Sequence, residues 1–350
     1  MSRRVAVVGA GFFGGMIALI LARRGYLVDL YDREVEVMAG ASRYNHNRLH
    51  RGYHYLRSIK TSRASLQGLS SFREVFGESI LSNFPNYYAI ATEQSKTNPD
   101  QFEAFCDVVQ IPYQKTYPER HFLNREKITA CYRVPEPVYD HPTAATILFS
   151  LLRDAPLTLR LGSIVDAVRR EDTGFSIRAD RVWRNYDVLI NATYAELNTL
   201  NEGLGLSSRS YLYEDVSIPV FRYNSSPFGI TVMDGEFCSV MPRGRRSGEF
   251  LLYHVRASVL RRHVGKVNFT TQVPFNNETT IFSESEIYMP FLSGLNSFEC
   301  YRSIRIVWEN SDDARHTILY NDLPNYYSIL SGKVTTCVDL AQELADRLEE

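Results

Sequence analysis

Residues 5–14 have the sequence VAVVGAGFFG, and a second apolar stretch, YLVDLYD, occupies residues 26–32. The short apolar run at 5–8 is typical of a strand that is buried on both faces. Between the two stretches, residues 15–24 have the apolar spacing of an amphipathic helix. The order of strand, glycine turn, helix and strand predicts a βαβ unit in a parallel sheet.

The glycine turn of this unit has the spacing Gly-x-Gly-x-x-Gly. Gly9 permits the tight turn after the strand, Gly11 leaves room for a pyrophosphate against the backbone, and Gly14 lets the helix pack closely on the strand. Unpaired N–H groups at the helix N-terminus are suited to bind the phosphates. Asp32 ends the second strand, where it can accept hydrogen bonds from ribose hydroxyls and disfavours a 2′-phosphate. A plain loop turn is the alternative, but this context favours dinucleotide binding.

The composition is that of an ordinary globular protein with about two domains. The chain has 350 residues, of which 44% are hydrophobic and 23% charged, and its net charge is −1. A nucleic-acid footprint or a polybasic anchor is therefore not expected, and the expected partner is a small molecule. No apolar run is long enough to span a bilayer, and the first residues lack the apolar core of a signal peptide. We expect a cytoplasmic protein whose five scattered cysteines are thiols.

The alternation of strand and helix returns after residue 136, whereas residues 211–310 contain short apolar runs separated by Pro, Gly, Asn and Ser. A glycine turn, SGKVTT at 331–336, precedes a final helix. Thr336 and Asp339 have the spacing of a capping box, which places the start of that helix near Lys333. The further predicted elements are helices at 62–76, 101–109 and 143–153, strands at 86–91, 157–161, 164–169, 175–179 and 186–193, and a β-hairpin from 233–244 and 251–256.

The polar segment 40–58 contains three histidines at a spacing of four, His46, His50 and His54. On one face of a helix they would suit a metal, but Gly52 and the neighbouring asparagines disfavour a helix. If the segment is extended instead, His50 and His54 share one face with Gly52 between them, where a flat ligand could approach the backbone. A metal site, ordinary polar packing and a ligand-facing strand are the three open interpretations, of which the last is favoured.

Several of these features together resemble a known family. They are the N-terminal turn, Asp32, residues 42–55, INAT at 190–193 and SGKVTT at 331–336. The chain is similar to the FAD-dependent oxidoreductases of the D-amino-acid oxidase superfamily, and most of all to the glycerol-3-phosphate and L-2-hydroxyglutarate dehydrogenases. Those enzymes carry a comparable serine-rich stretch that leads to His-x-Gly-x-x-Tyr, which is HRGYHY at 50–55 here.

The resemblance implies an α/β fold with a doubly wound, Rossmann-like FAD-binding domain and a second, mostly antiparallel β-sheet substrate domain. The FAD-binding domain would be discontinuous and comprise residues 1–60, 137–210 and 311–350. The substrate domain would comprise residues 61–136 and 211–310. The FAD would be noncovalent, since no Cys or His lies in a context that compels attachment.

The resemblance also assigns contacts to this cofactor. Where the family usually has Gly after the INAT threonine, this chain has Tyr194, which departs from the pattern. The implied contacts are Gly9, Gly11, Gly14 and Ser42 with the pyrophosphate, Asp32 with the ribose, Val165 with adenine, Ala192 and Thr193 beside the nucleotide, Arg48 and Leu49 beside the flavin, and Gly332, Lys333 and Thr335 against the isoalloxazine ring.

The C-terminal glycine bend is suited to a flavin on physical grounds as well. A reduced flavin carries negative charge near N1 and the C2 carbonyl, and both an ammonium group and a helix N-terminus stabilise that charge. Lys333 and the predicted start of the last helix supply both. The alternative is a solvated loop lysine beside an ordinary helix cap.

Oxidation of a C–H bond next to O or N requires hydride transfer and removal of the heteroatom proton, for which a histidine is suited. His50, in the family's motif position, is preferred over His54. An arginine would hold an anionic substrate group, and Arg315 resembles the family's position for one, although His316 replaces the usual Pro. Weaker candidates for this contact are Arg302, Arg305 and Arg243. Tyr253 and His254 belong either to the pocket or to the core.

We therefore predict a flavin-dependent oxidoreductase that oxidises a small polar substrate, namely a hydroxy acid, a polyol, a sugar derivative or an amine. Three alternatives stay open. The first is an NAD-dependent dehydrogenase that uses only the N-terminal unit, and it leaves SGKVTT without a role. The others are a protein that binds FAD without turnover and a metal-dependent hydrolase built on the three histidines.

Overall fold

A computed structural model describes residues 2–265, 277–308 and 316–350. It confirms the N-terminal βαβ unit as β1 (Arg4–Val8), α1 (Phe12–Arg23) and β2 (Leu27–Tyr31), with β1 and β2 parallel. Helix α1 begins three residues before the predicted start, because the chain turns directly from extended backbone at Gly11 into the helix.

The other elements follow these three in chain order. The further helices are α2 (Ile59–Phe76), α3 (Pro99–Val109), α4 (His141–Arg153), α5 (Leu197–Gly203), α6 (Glu278–Glu286) and α7 (Cys337–Glu349). The further strands are β3 (Ile80–Leu81), β4 (Asn86–Ala91), β5 (Gln114–Lys115), β6 (Ile128–Arg133), β7 (Val138–Tyr139), β8 (Leu157–Arg160), β9 (Val165–Glu171), β10 (Gly174–Ala179), β11 (Val182–Tyr186), β12 (Val188–Asn191), β13 (Tyr211–Arg222), β14 (Gly229–Met233), β15 (Cys238–Pro242), β16 (Glu249–His254), β17 (Val259–Val264), β18 (Ser297–Trp308), β19 (Ile318–Leu323) and β20 (Tyr326–Leu330).

A six-stranded sheet has the order β19-β20-β12-β1-β2-β8, and its neighbours are parallel except for the β19–β20 pair. The carboxyl ends of parallel strands meet at one edge, where ligands bind in open α/β sheets. Gly9 follows β1, Asp32 follows β2, Ala192 follows β12, and Gly332 lies two residues after β20. The topology therefore brings four predicted cofactor contacts to the same edge.

Helices cover one face of this sheet and a three-stranded antiparallel sheet, β11-β10-β9, covers the other. Alternate residues of β1 divide between the two cores: Val5 packs against the helices and Ala6 against the smaller sheet. Helix α2 also packs on the helical side, because the Phe72 and Phe76 rings contact the Phe12 ring at 5.6 and 5.3 Å. The sequence assigned this helix to the substrate domain, but its packing groups it with the nucleotide sheet. The two-domain division itself stays a prediction.

The second large sheet has the order β17-β13-β16-β15-β14-β4-β6-β5, and β18 also pairs with β13. Its pairs are antiparallel except β14–β4, as expected for the substrate half. Strands β15 and β16 form the predicted hairpin, in which Ser239 pairs with Tyr253. The expected mixed α/β fold is confirmed.

All five cysteines are free, and four of them are buried. Within residues 2–265, 277–308 and 316–350, no helix has the length and apolar character that crossing a bilayer requires.

Candidate active site

The carboxyl edge of the six-stranded sheet opens into a cleft of about 1050 Å³ that reaches the second large sheet. Gly9 and Gly11 line one part of it, and Gly332 and Lys333 line another. The two glycine bends, more than 300 positions apart, thus meet at one cleft. A cleft of this size accommodates a ligand as large as a cofactor.

The N-terminal glycine turn is shaped by close backbone contacts. Gly9 has φ +106°, and a Cβ atom there would lie 2.4 Å from the carbonyl oxygen of Ala192. A Cβ atom on Gly14 would lie 1.8 Å from the carbonyl oxygen of Gly9. Gly11 supplies no capping side chain to α1, and the Ser42 hydroxyl accepts a hydrogen bond of 3.3 Å from the first N–H of the helix. The helix N-terminus therefore faces the cleft with backbone N–H groups and the Ser42 hydroxyl, an arrangement that is suited to bind phosphate groups.

Asp32 lines the cleft and also shapes the glycine turn. Its Oδ2 accepts a hydrogen bond of 2.6 Å from Ala10 N, and its Oδ1 accepts one of 2.9 Å from Glu34 N. A carboxylate has about four lone-pair positions, so both oxygens retain capacity for a further donor. The contact with a ribose stays a prediction, and the structural contribution of Asp32 to the turn was not foreseen.

The nucleotide side of the cleft is lined by Val165, Ala192 and Thr193. The Thr193 hydroxyl donates to Asn191 Oδ1 at 2.6 Å, which fixes the strand end. The next residue, Tyr194, has φ +54° and so adopts the left-handed conformation that favours glycine. Its hydroxyl accepts a hydrogen bond of 3.1 Å from the backbone N–H of Ile306. The departure from the family pattern therefore keeps a glycine-like backbone and adds an anchor to β18.

Segment 40–58 forms turns up to the start of α2, with a single bridge between Arg48 and Val138, and is neither the helix nor the extended strand considered from the sequence. The expected opening for a flat ligand at Gly52 is wrong. Gly52 has φ +102°, and a Cβ atom there would lie 1.9 Å from Ser62 Oγ, so α2 fills the space. The three histidines of the segment nevertheless all line the cleft. In the part of the chain that the structure describes, no group of three His, Cys, Asp or Glu side chains could hold a metal ion.

Arg48 is buried at the base of the cleft and connects the segment to the second large sheet. Its Nη2 donates to Thr231 Oγ1 at 2.7 Å, and its Nη1 donates to Tyr88 Oη at 3.3 Å. Its Nε lies 3.6 Å from Glu136 Oε1. These partners come from β14, β4 and the loop before β7, so the position of Arg48 is fixed by residues far away in the sequence.

Two of the predicted flavin contacts have side chains outside the cleft lining. Leu49 is fully buried in the core of the nucleotide sheet, and its N–H donates to Pro137 O at 3.0 Å. Thr335 is also buried, and its carbonyl oxygen would lie 2.7 Å from a Cβ atom on Gly68 of α2. Both residues support the bends that carry Arg48 and Lys333.

Lys333 lies in the cleft beside the ring of Tyr55, with Nζ 4.4 Å from the ring centre. Burial, and then the charge of Arg48, lower the pKa of its ammonium group to about 7. The described groups that act on this ammonium include no carboxylate. An additional negative charge in the cleft would therefore be stabilised by Lys333 and would raise its pKa.

The bend at Lys333 is held by threonine hydroxyls. The expected capping box is wrong, because Thr336 Oγ1 donates to Lys333 O at 2.9 Å and lies 2.7 Å from Thr317 Oγ1. Thr317 Oγ1 also accepts from Gly332 N at 3.1 Å. One short turn, Val334–Thr336, separates Lys333 from α7, so the helix start does lie near the lysine.

His50 is half-buried in the cleft wall, with Nδ1 3.7 Å from Glu136 Oε1. Its ring centre is 6.2 Å from the His54 ring and 5.7 Å from the Tyr55 ring. His54 also lines the cleft but is exposed. The two candidate proton acceptors are therefore adjacent, and His50 is the one whose Nδ1 lies near a buried acid.

His46 faces the cleft as a neutral imidazole. Because a carbonyl oxygen only accepts, Nε2 carries the proton of the 3.0 Å hydrogen bond to Leu251 O. Burial, and then the charge of Arg48, lower the pKa of His46 to about 3. Its ring packs 6.1 Å from the ring of Tyr253, which also lines the cleft.

Of the arginines considered for an anionic group, Arg302 and Arg305 line the cleft. Arg305 Nε donates to Glu214 Oε2 at 2.6 Å, so its charge is already paired. Arg243 lies outside the cleft lining, held by Tyr301, Glu249 and Glu299. His254 likewise pairs with Glu284 at 3.3 Å and packs in the sheet. Arg315 lies outside the described residues.

The sequence did not single out Glu136, Tyr55 as a partner of Lys333, or Glu214. Glu136 lies between two prolines in VPEPVY at 134–139, and an acid within a short apolar run is a signal that could have identified it. No local pattern marks Glu214, and the motif that contains Tyr55 gives no sign of its contact with Lys333, because these partners come from distant strands and from the C-terminal bend.

Comparisons with known proteins identify similar sequences and folds. The family model described as FAD dependent oxidoreductase matches residues 4–277. The FAD-dependent monooxygenase kojA of Aspergillus flavus is 28% identical over 253 residues, which cover 68% of this chain and 58% of that protein. The chain thus spans less than two thirds of the length of this curated relative.

Two solved structures show the same fold over nearly the whole chain. Glycine oxidase from Geobacillus kaustophilus has a TM-score of 0.80 at 16% identity and covers 99% of this chain and 95% of its own. The L-alpha-glycerophosphate oxidase from Mycoplasma pneumoniae, solved with FAD bound, has a TM-score of 0.77 at 15% identity. The match covers 99% of this chain and 94% of that structure's chain.

Proposed function

Because the chain belongs to the DAO family of FAD dependent oxidoreductases, we propose that it oxidises a small polar substrate by hydride transfer to N5 of noncovalently bound FAD. The substrate classes are a hydroxy acid, a polyol, a sugar derivative or an amine. The observation that carries this proposal is the convergence of the Gly9–Gly14 turn and the Gly332–Lys333 bend on one cleft.

The residues present fit a flavin nucleotide. Gly9 and Gly11 leave a bare backbone cradle at the N-terminus of α1 for a pyrophosphate, and Asp32 retains acceptor capacity for a ribose. Lys333 has no carboxylate partner among the described residues that act on it, so its charge suits an anionic ring. When bound, FAD supplies a two-electron acceptor for the substrate hydride.

His50 is the residue that we assign to the substrate proton. It lies in the cleft wall, with Nδ1 on the side of Glu136. A proton on a substrate hydroxyl or ammonium group must leave as the hydride does, and an imidazole accepts it near neutral pH. His54 is the second candidate, at the exposed side of His50.

A cationic residue at the cleft would hold an anionic substituent of the substrate. Arg302 lines the cleft, and Arg315, which lies outside the described residues, stays the arginine assigned by motif position. A bidentate arginine contact orients a carboxylate or phosphate.

The test is anaerobic reduction of the purified yellow protein by a panel of hydroxy acids, polyols, sugar derivatives and amines. We expect the visible flavin absorbance to bleach with at least one class, and acid precipitation to release the flavin from the protein. Lys333→Met should slow the bleaching, whereas Lys115→Met, at an exposed ion pair with Glu103, should not. A colourless protein that takes up no FAD, or a flavin that no class reduces, would refute the proposal.

A second candidate function is oxygen insertion, which the name of the curated fungal relative favours. In that case the substrate would gain an oxygen atom from dioxygen rather than lose two hydrogens. Mass spectrometry of products formed under isotopically labelled dioxygen separates the two reactions, because oxidation by hydride transfer leaves the label in hydrogen peroxide or water.

A further inference from the structure

Glu136 is a buried carboxylate outside the cleft lining. Its residue exposure is 2%, and it lies in the loop before β7. Oε2 accepts a hydrogen bond of 2.9 Å from Arg51 N, and Oε1 accepts one of 2.7 Å from Tyr88 Oη. Burying a carboxylate is unfavourable unless charged or polar partners stabilise it, so the groups around it indicate what it stabilises.

Two further groups face Oε1 from the cleft side. Arg48 Nε lies at 3.6 Å and His50 Nδ1 at 3.7 Å. Both distances are slightly longer than a hydrogen bond, as is common for catalytic contacts that shorten when substrate is bound. Arg48 is fixed independently by Thr231. The carboxylate therefore stands between a permanent cation and an imidazole that lines the cleft.

We propose that Glu136 is a positioning residue that holds His50 in the tautomer protonated at Nδ1, so that Nε2 presents its lone pair to the substrate. The proton of the substrate O–H or N–H bond would move to His50 Nε2, and FAD, when bound, would supply the acceptor for the C–H hydride. The substrate would thereby lose two electrons and two hydrogens. Glu136 stabilises the imidazolium that results. The proposal rests on the proposed function, because that function makes His50 the proton acceptor.

The charges near His50 determine how strongly Glu136 acts. Arg48 and Arg51 approach from the same segment, His54 from the following turn, and Lys333 from the C-terminal bend across Tyr55. The charge of Arg48 disfavours a protonated His50, and the charge of Glu136 favours it.

The experiment compares FAD-loaded wild type with Glu136→Gln, which keeps the shape and removes the charge. Glu249→Gln is the matched control, since Glu249 is also shielded and paired with arginines but lies outside the cleft. Carbon-detected NMR of labelled histidine, assigned with His50→Asn, follows the protonation of His50 without requiring turnover. The rate of flavin reduction against pH supplies a second readout.

In Glu136→Gln we expect the midpoint of the His50 titration to fall by about one pH unit and flavin reduction to slow by about tenfold or more. The acid limb of the pH profile should move with the midpoint. Glu249→Gln should change neither. An unchanged His50 midpoint in folded Glu136→Gln overturns the proposal.

Tyr88→Phe keeps the carboxylate and removes one of its donors, so it provides a test if Glu136→Gln does not fold. We expect the His50 midpoint to rise, because Oε1 is then more available to His50. A midpoint that stays in place or falls overturns the proposal. Failure of every substrate to reduce the flavin would instead count against the proposed function, and the NMR midpoints would still decide the role of Glu136.

Discussion

Replacing Lys333 by Met should change the pH dependence of protein stability. Burial and Arg48 lower the pKa of Lys333 from 10.5 to about 7. Between pH 7 and pH 10.5, Lys333 is protonated in the unfolded chain and neutral in the folded chain. The free energy of unfolding therefore rises by about 1.4 kcal/mol per pH unit on account of this one group. Below pH 7 both states are protonated, and the unfavourable free energy of the buried ammonium, about 5 kcal/mol, is present in full.

The assay is urea unfolding of the flavin-free protein at pH 7, 8 and 9. The unfolding free energy of wild type minus that of Lys333→Met should rise by about 2 to 3 kcal/mol over this range, because the other titrating groups are common to both proteins. Lys115→Met is the control, since Lys115 is exposed and its pKa is raised above the ordinary value by Glu103. A difference between wild type and Lys333→Met that stays flat from pH 7 to 9 would refute a desolvated Lys333.

Three further predictions concern the turn, the nucleotide wall and the proton acceptor. Gly14→Ala should abolish FAD retention and lower stability by about 3 kcal/mol or more, because the added Cβ would clash with a main-chain oxygen, whereas Gly40→Ala, with open space around it, should leave the thermal melt unchanged. Tyr194→Phe should cost about 1 kcal/mol in chemical unfolding, because it removes the acceptor for one backbone N–H. His50→Asn should slow flavin reduction by about 100-fold or more in stopped-flow measurements, while His54→Asn should retain most of the rate. Equal losses in the two histidine variants would contradict the assignment.

The N-terminal unit could be predicted from the sequence because its signals are local. The spacing of Gly9, Gly11 and Gly14 and the apolar runs around them specify a strand, a turn and a helix without distant contacts. The strand at residues 86–91 was predicted with the bounds that the structure gives, since its apolar pattern is equally local.

Segment 40–58 could not be predicted because distant residues decide its shape. The space beside Gly52 is filled by Ser62, and Arg48 takes its position from side chains on β4 and β14. Thr336 has the spacing of a helix cap, yet a nearby hydroxyl from before β19 competes for it. Glu136 meets Arg48 and His50 only in the folded chain, because they lie more than 80 positions away in the sequence.

Because β1 lies in the middle of its sheet, the two bends that line the cleft are synthesised far apart in time. On the ribosome, the Gly9–Gly14 turn is made before β20 and the bend at Lys333, which follow it by more than 300 residues and lie on the far side of β12 from β1. A nascent chain therefore lacks one wall of the site until the bend at Lys333 has been made. A chain truncated before residue 326 would carry the N-terminal turn without the strand and lysine that complete the cleft.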